Sequence, residues 1–134
     1  MIHLISRLRV RPDRRDAFLS WCNRLAALAD RESGTLGYNC YHDAVTGRCL
    51  FVETYRDAGG LDAHLRAIAG ESAAGHGYYE LERLDVCGDF SEAQRAIFAS
   101  LDASDGLAGK VVFYQSYAAK SPTPASLDKS ENAT

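Results

Sequence analysis

No apolar run in this sequence approaches the roughly 20 residues needed to cross a bilayer. The N-terminus leads directly into a strand-like stretch rather than an apolar leader segment, so a cytoplasmic protein with no membrane partner is expected. Positive charge is also scarce. Fifteen basic residues are scattered among 18 acidic ones for a net charge of −3, which gives no field suited to nucleic acid or an anionic membrane. The Gly59-Gly60 pair follows a strand-like stretch but does not continue as G-x-G-x-x-G or G-K-[ST], so no nucleotide phosphate loop is expected. No cofactor and no metal are expected either. His3, His42, His64 and His76 fall on different elements, with no carboxylate or cysteine at ligand spacing. The four cysteines contain no C-x-x-C pair and read as reduced and structural. Cys40 and Cys49 would share one face of a hairpin, but diagonally, which is expected to hold them too far apart for a disulfide.

What remains is ordinary globular material. A chain of 134 residues, 46% hydrophobic and 25% charged, suffices for one domain with a modest core. Ile2, Leu4, Leu8 and Val10 alternate with His3, Arg7 and Arg9, which predicts a half-buried strand over 2–10, interrupted by Ser6. Ser6 either fills a tight spot or leaves room for a ligand. Pro12 and Asp13 start a helix with Phe18, Trp21, Cys22, Leu25, Leu28 and Ala29 on one face, ended by Gly34. A strand over 36–42, a turn over 43–47 and a strand over 49–55 form a hairpin. A helix over 61–68 follows, then a glycine-punctuated stretch containing His76, then a strand near 81–88.

Strand, helix, strand, strand, helix, strand is the split βαβ, ferredoxin-like order of an α+β fold. Residues 1–88 form this core and 89–120 extend it. Ser91 with Gln94 makes a capping box for a helix carrying Ala93, Ile97, Phe98 and Leu101, and 110–118 reads as a fifth strand. Residues 121–134, rich in proline and small polar side chains, are expected to be a disordered tail. Helices in this order cover one sheet face, yet the strands carry apolar residues on both. A second copy packed face to face is the simplest cover, with the fifth strand crossing onto or bracing the neighbour.

The chemistry gathers between Arg48 and Ile68. Alternation places Phe51, Glu53 and Tyr55 on one strand face and Leu50, Val52 and Thr54 on the other, so a carboxylate lies between two aromatic rings. The helix that follows is capped by Asp57, and Leu61, His64, Leu65 and Ile68 recur at helical spacing. An acid and an imidazole thus occupy consecutive elements.

The motif F-V-E-T-Y-R-D-x-x-x-L-D-A-H-L at 51–65, the Pro12-led helix and the acidic-Ser-Gly turn into Gly37-Tyr38 resemble the antibiotic biosynthesis monooxygenase family. That resemblance covers residues 1 to about 88 and implies a small dimeric α/β barrel. The polyketide oxygenases of the family carry an Asn and a Trp where this chain has Phe51 and Tyr55. Haem-degrading relatives carry an Asn and a Trp where this chain has Ser6 and His64. The resemblance therefore implies a member like the quinol-oxidising and general ones, in which the helix His and strand Glu recur. It implies a cofactor-independent monooxygenase acting on a small aromatic phenol, anthrone or quinol. Such a substrate can itself give an electron to O₂ once deprotonated in a dry cavity. His64 would be the base and Glu53 its orienting or proton-accepting partner. Tyr55, Tyr38, Trp21 and Phe51 would wall the substrate, with Asn39 and Ser6 as polar contacts. Two other readings use the same residues: a non-catalytic dimeric binding protein for a small apolar ligand, with Trp21, Phe51 and Leu61 filling the space, and an isomerase using His64 as proton shuttle.

Overall fold

The first strand, β1 (Ile2–Val10), lies at the centre of the sheet and pairs antiparallel with two neighbours. One is β3 (Arg48–Tyr55) and the other β4 (Tyr79–Gly88), so β1 has no exposed edge. The computed structural model describes residues 1–75, 77–104 and 110–118. Its sheet order is β2-β3-β1-β4-β5, with β2 spanning Thr35–His42 and β5 Val111–Tyr114. The first four strands have the ferredoxin-like arrangement. The fifth lies parallel to β4 in the same chain's sheet, pairing Leu84 with Val111 and Val86 with Phe113. Among the described residues it is shorter than the expected 110–118 strand. His76 and the expected tail at 121–134 lie outside the described residues.

Pro12 opens a short 3₁₀ turn, and α1 (Arg15–Ala29) buries Phe18, Trp21, Cys22, Leu25 and Ala29 against the sheet. The helix stops at Ala29, before Gly34. Its exit is tightened by Arg31 N–H donating to Leu28 and Glu32 N–H donating to Ala29. Gly34 instead serves a crossing. Its Cα lies so close to Gly60 that a Cβ on Gly34 would stand 2.6 Å from the Gly60 Cα. Gly60 belongs to α2 (Ala58–Ala67), whose first turn is capped by Asp57 Oδ1 accepting from Gly60 N–H at 2.8 Å. A one-residue break at Ile68 separates it from α3 (Ala69–Gly75). In α4 (Glu92–Ser104) the capping box is reciprocal: Gln94 N–H donates to Ser91 Oγ and Ser91 N–H donates to Gln94 Oε1.

Two apolar clusters form on the helix side. Leu8, Phe18, Trp21, Leu25 and Phe51 belong to one, and Ile2, Leu4, Tyr55, Leu61, Val86 and Phe98 to the other. The opposite sheet face carries Ile5, Leu50, Val52 and Thr54, only half-buried in the single chain.

The cysteines form no disulfide, as expected, but their sulfurs approach more closely than the register alone suggests. Cys40 lies opposite Phe51 and Cys49 opposite His42, a diagonal placement as expected. Yet the side chains lean together and the two sulfurs stand 3.2 Å apart. All four cysteines are free thiols.

Candidate functional site

Strand alternation brings Glu53 to the helix side, where it lies between Leu4 of β1 and Tyr38 of β2. It is 8% exposed. Burial pushes its carboxyl up to about 7; the Tyr55 and Tyr38 hydroxyls pull the other way, and the charge of Glu32 adds to the rise. His64 projects from the inner face of α2 at 1% exposure. Its ring is flanked by Tyr38 and Tyr55, with centroids at 5.3 Å and 5.2 Å. Glu53 Oε1 stands 3.7 Å from His64 Nε2, too long for a formed hydrogen bond.

The other imidazole nitrogen is held by a residue that the sequence reading did not pick out. His64 Nδ1 lies 3.0 Å from both carboxylate oxygens of Glu32, in the turn between α1 and β2. A carboxylate accepts, so Nδ1 is the nitrogen that donates to Glu32, and in the neutral imidazole Nε2 is left with its lone pair towards Glu53. That Nε2 is buried and has no hydrogen-bond partner. The Gly34–Gly60 crossing makes this possible by letting the Glu32 turn lie directly on the start of α2, where Gly34 also accepts the Arg56 N–H at 2.9 Å. The sequence signal was the acidic-Ser-Gly turn, quoted for its resemblance and given no chemical role.

Between sheet and helices is a cavity of about 490 Å³, with Ser6, Trp21, Tyr38, Phe51, Glu53 and His64 in its wall. Six of the eight singled-out residues therefore come together. Trp21 donates its indole N–H to the Glu71 carbonyl at 3.0 Å and stacks on Tyr79, so its ring borders the cavity without filling it. Two expected residues take other places. Tyr55 is fully buried, packs against His64 and does not line the cavity. Asn39 pairs with Val52 on the opposite sheet face and is exposed, because a strand turns adjacent residues to opposite sides. It cannot accompany Tyr38 into the cavity. Phe98 of α4 and Lys110 before β5 complete the far wall, so the C-terminal extension helps to close the site. Among the described residues, no three His, Cys, Asp or Glu side chains are grouped to hold a metal ion.

A ferredoxin-like sheet whose helices border a cavity with one unpartnered imidazole nitrogen in its wall defines a small α+β protein of the ferredoxin-like class. The chain belongs to the antibiotic biosynthesis monooxygenase family, whose model matches residues 1–74. Among solved structures it is similar to MupZ from Pseudomonas fluorescens, at TM-score 0.71 and 20% identity over 92% of this chain and 95% of that one. It is also similar to Rv0793 from Mycobacterium tuberculosis, at TM-score 0.58 and 26% identity over 69% of this chain and 97% of that one. A structure described as an antibiotic biosynthesis monooxygenase aligns at TM-score 0.55 and 20% identity, over 64% and 93% of the two chains. No curated protein sequence matches the chain. No helix among the described residues is long and apolar enough to cross a membrane.

Proposed function

We propose that the protein is a cofactor-independent monooxygenase that oxidises a small aromatic phenol, anthrone or quinol with O₂. The observation that carries this reading is His64 Nε2, a buried nitrogen with no hydrogen-bond partner beside Glu53 in an aromatic-walled cavity, its ring held from behind by Glu32. His64 takes the acidic proton of the substrate, and Glu53, 3.7 Å away, receives it once the two groups close to hydrogen-bond distance. The resulting anion passes one electron to O₂, and the radical pair combines to a peroxide at carbon. Loss of water leaves a carbonyl, so that one CH₂ and one O₂ become C=O and H₂O. Exclusion of bulk water strengthens each electrostatic contact and protects the anion. Trp21, Tyr38 and Phe51 are the walls for the ring, and Ser6 is a polar contact.

The half-exposed Ile5, Leu50 and Val52 on the open sheet face support a homodimer formed by a second copy there. An isomerase is the second reading, favoured by the 3.7 Å spacing of two proton-accepting groups on one cavity, as proton relocation between two substrate atoms requires.

The deciding experiment is oxygen uptake by the metal-stripped protein with a panel of hydroquinones, anthrones and catechols, beside His64→Ala. Uptake without added cofactor that falls about 10²-fold or more in the variant supports the oxygenase. Isomer formed with no oxygen consumed selects the isomerase. Bound ligand left unchanged by both proteins reduces the site to a binding cavity.

A further inference from the structure

Among the described residues, a cluster of nucleophiles outside the cavity is made of sulfur. Cys40 Sγ lies 3.2 Å from Cys49 Sγ and 3.8 Å from Cys22 Sγ, so one thiol touches two others contributed by β3 and α1. Their exposures differ. Cys49 and Cys22 are 3% and 7% exposed, whereas Cys40, on the outermost strand β2, is exposed. Three inert packing cysteines would need neither the mutual contact nor an opening to solvent. We propose that this group is an oxidation site, in which a hydroperoxide oxidises Cys40 and Cys49 closes a Cys40–Cys49 disulfide.

The chemistry follows from the placement. Deprotonated Cys40 can accept S–H from both Cys22 and Cys49, which draws its thiol well below the ordinary range, and the same bonds push both neighbours up. Cys40 is therefore the sulfur that solvent reaches and that two S–H neighbours can hold as a thiolate, with Cys22 and Cys49 buried behind it. The Cys40 thiolate attacks the outer oxygen of ROOH, the O–O bond breaks, and ROH leaves after gaining a proton. Cys40 is now a sulfenic acid. Its charge is gone, so Cys49 is no longer held as a donor. The Cys49 sulfur attacks the Cys40 sulfur, and the hydroxyl departs with the Cys49 proton as water. In sum, two thiols and one ROOH give a disulfide, ROH and H₂O. The sulfurs have to close from 3.2 Å to about 2 Å, which rotation about the two Cα–Cβ bonds and a small strand shift supply. Cys22, in contact with Cys40, is placed to exchange into this bridge and carry it from the β2–β3 hairpin onto α1, the helix that bears Trp21.

The test uses the full reduced chain with one equivalent of hydrogen peroxide and a chelator. Intact mass is expected to fall by two hydrogens and free thiols to drop from four to two. Trypsin cuts after Arg48, so a bridge between Cys40 and Cys49 appears as two linked peptides. In Cys49→Ser, dimedone is expected to trap a sulfenic acid at Cys40, or a Cys22–Cys40 bridge to form instead. In Cys40→Ser the loss of thiols is expected to slow at least about tenfold, with near-ultraviolet circular dichroism reporting that the fold is retained. A parent that keeps four thiols, a bridge involving Cys87, or equal oxidation of Cys40→Ser overturns the proposal.

Discussion

Glu32 grips His64 from 32 residues away in sequence, with both carboxylate oxygens 3.0 Å from Nδ1. The contact fixes which nitrogen faces the cavity. Nitrogen chemical shifts of the His64 ring are expected to report the Nδ1–H tautomer in the neutral imidazole. Glu32→Ala leaves that N–H buried without an acceptor, which is expected to destabilise the fold by about 1–3 kcal/mol. In the reaction proposed, turnover is expected to fall by about 10²-fold because the ring loses orientation as well as its partner. Glu32→Gln, which keeps a side-chain carbonyl as acceptor, is expected to recover part of both losses. Chemical denaturation and turnover, run on the same preparations, check the pair.

Glu53 makes stability depend on pH. Its carboxyl rises from 4.5 to about 7 through burial, so between those values the native state holds a proton that the unfolded chain has released. Stability therefore falls as pH rises through that window. Above it the charged carboxylate costs on the order of 3 kcal/mol, and below 4.5 this penalty is absent. Glu53→Gln removes the titration and keeps a polar group beside Tyr38. The variant is expected to be more stable than the parent at pH 8 and no more stable at pH 4.5. Urea melts at the two pH values measure the difference, and the same variant is expected to lose the proposed activity.

The elements read from the sequence are those whose signals are local. Alternation gave β1 and β3 within a residue or two, Asp57 marked the start of α2, and Ser91 with Gln94 marked α4 through a capping box that the structure contains. Glu53 and His64 were legible because each lies on the inward face of such an element. Glu32 was not, because a carboxylate in a turn has no period, and its partner is chosen by the Gly34–Gly60 crossing rather than by spacing. Asn39 was misplaced beside Tyr38 although alternation separates them. The sulfur contact was missed because diagonal register fixes backbone separation and leaves side-chain lean undetermined.

The glycine crossing can be tested directly. A Cβ on Gly34 would stand 2.6 Å from the Gly60 Cα, and one on Gly60 2.8 Å from the Gly34 carbonyl oxygen. Both obstacles are backbone and cannot rotate away. Gly34→Ala is expected to destabilise by about 1–3 kcal/mol and to push the Glu32 turn off α2. The signature that separates this from general loss of stability is His64. Its ring resonances are expected to shift towards those of Glu32→Ala, while the Trp21 indole N–H, held by the Glu71 carbonyl, keeps its position.

Gln94 ties the C-terminal extension to the rest of the domain. It is fully buried, and besides the capping box its Nε2 donates to the Ala58 carbonyl at 2.7 Å and to Asp62 Oδ1 at 2.8 Å. Both acceptors belong to α2, the helix that carries His64. Gln94→Ala removes the α4 capping partner and leaves the Ala58 carbonyl without its donor, with an expected loss of about 2–3 kcal/mol. Phe98 lies one turn further along α4 and closes one side of the cavity, so loosening of α4 opens the site to water. Limited proteolysis is expected to cut the variant in α4 before the core, and apolar ligand affinity is expected to fall while residues 1–75 keep their circular dichroism signal. Equal protease resistance in variant and parent would instead mean that α4 is held by its apolar contacts alone, through Phe98 against Leu61, Leu84 and their neighbours in that cluster.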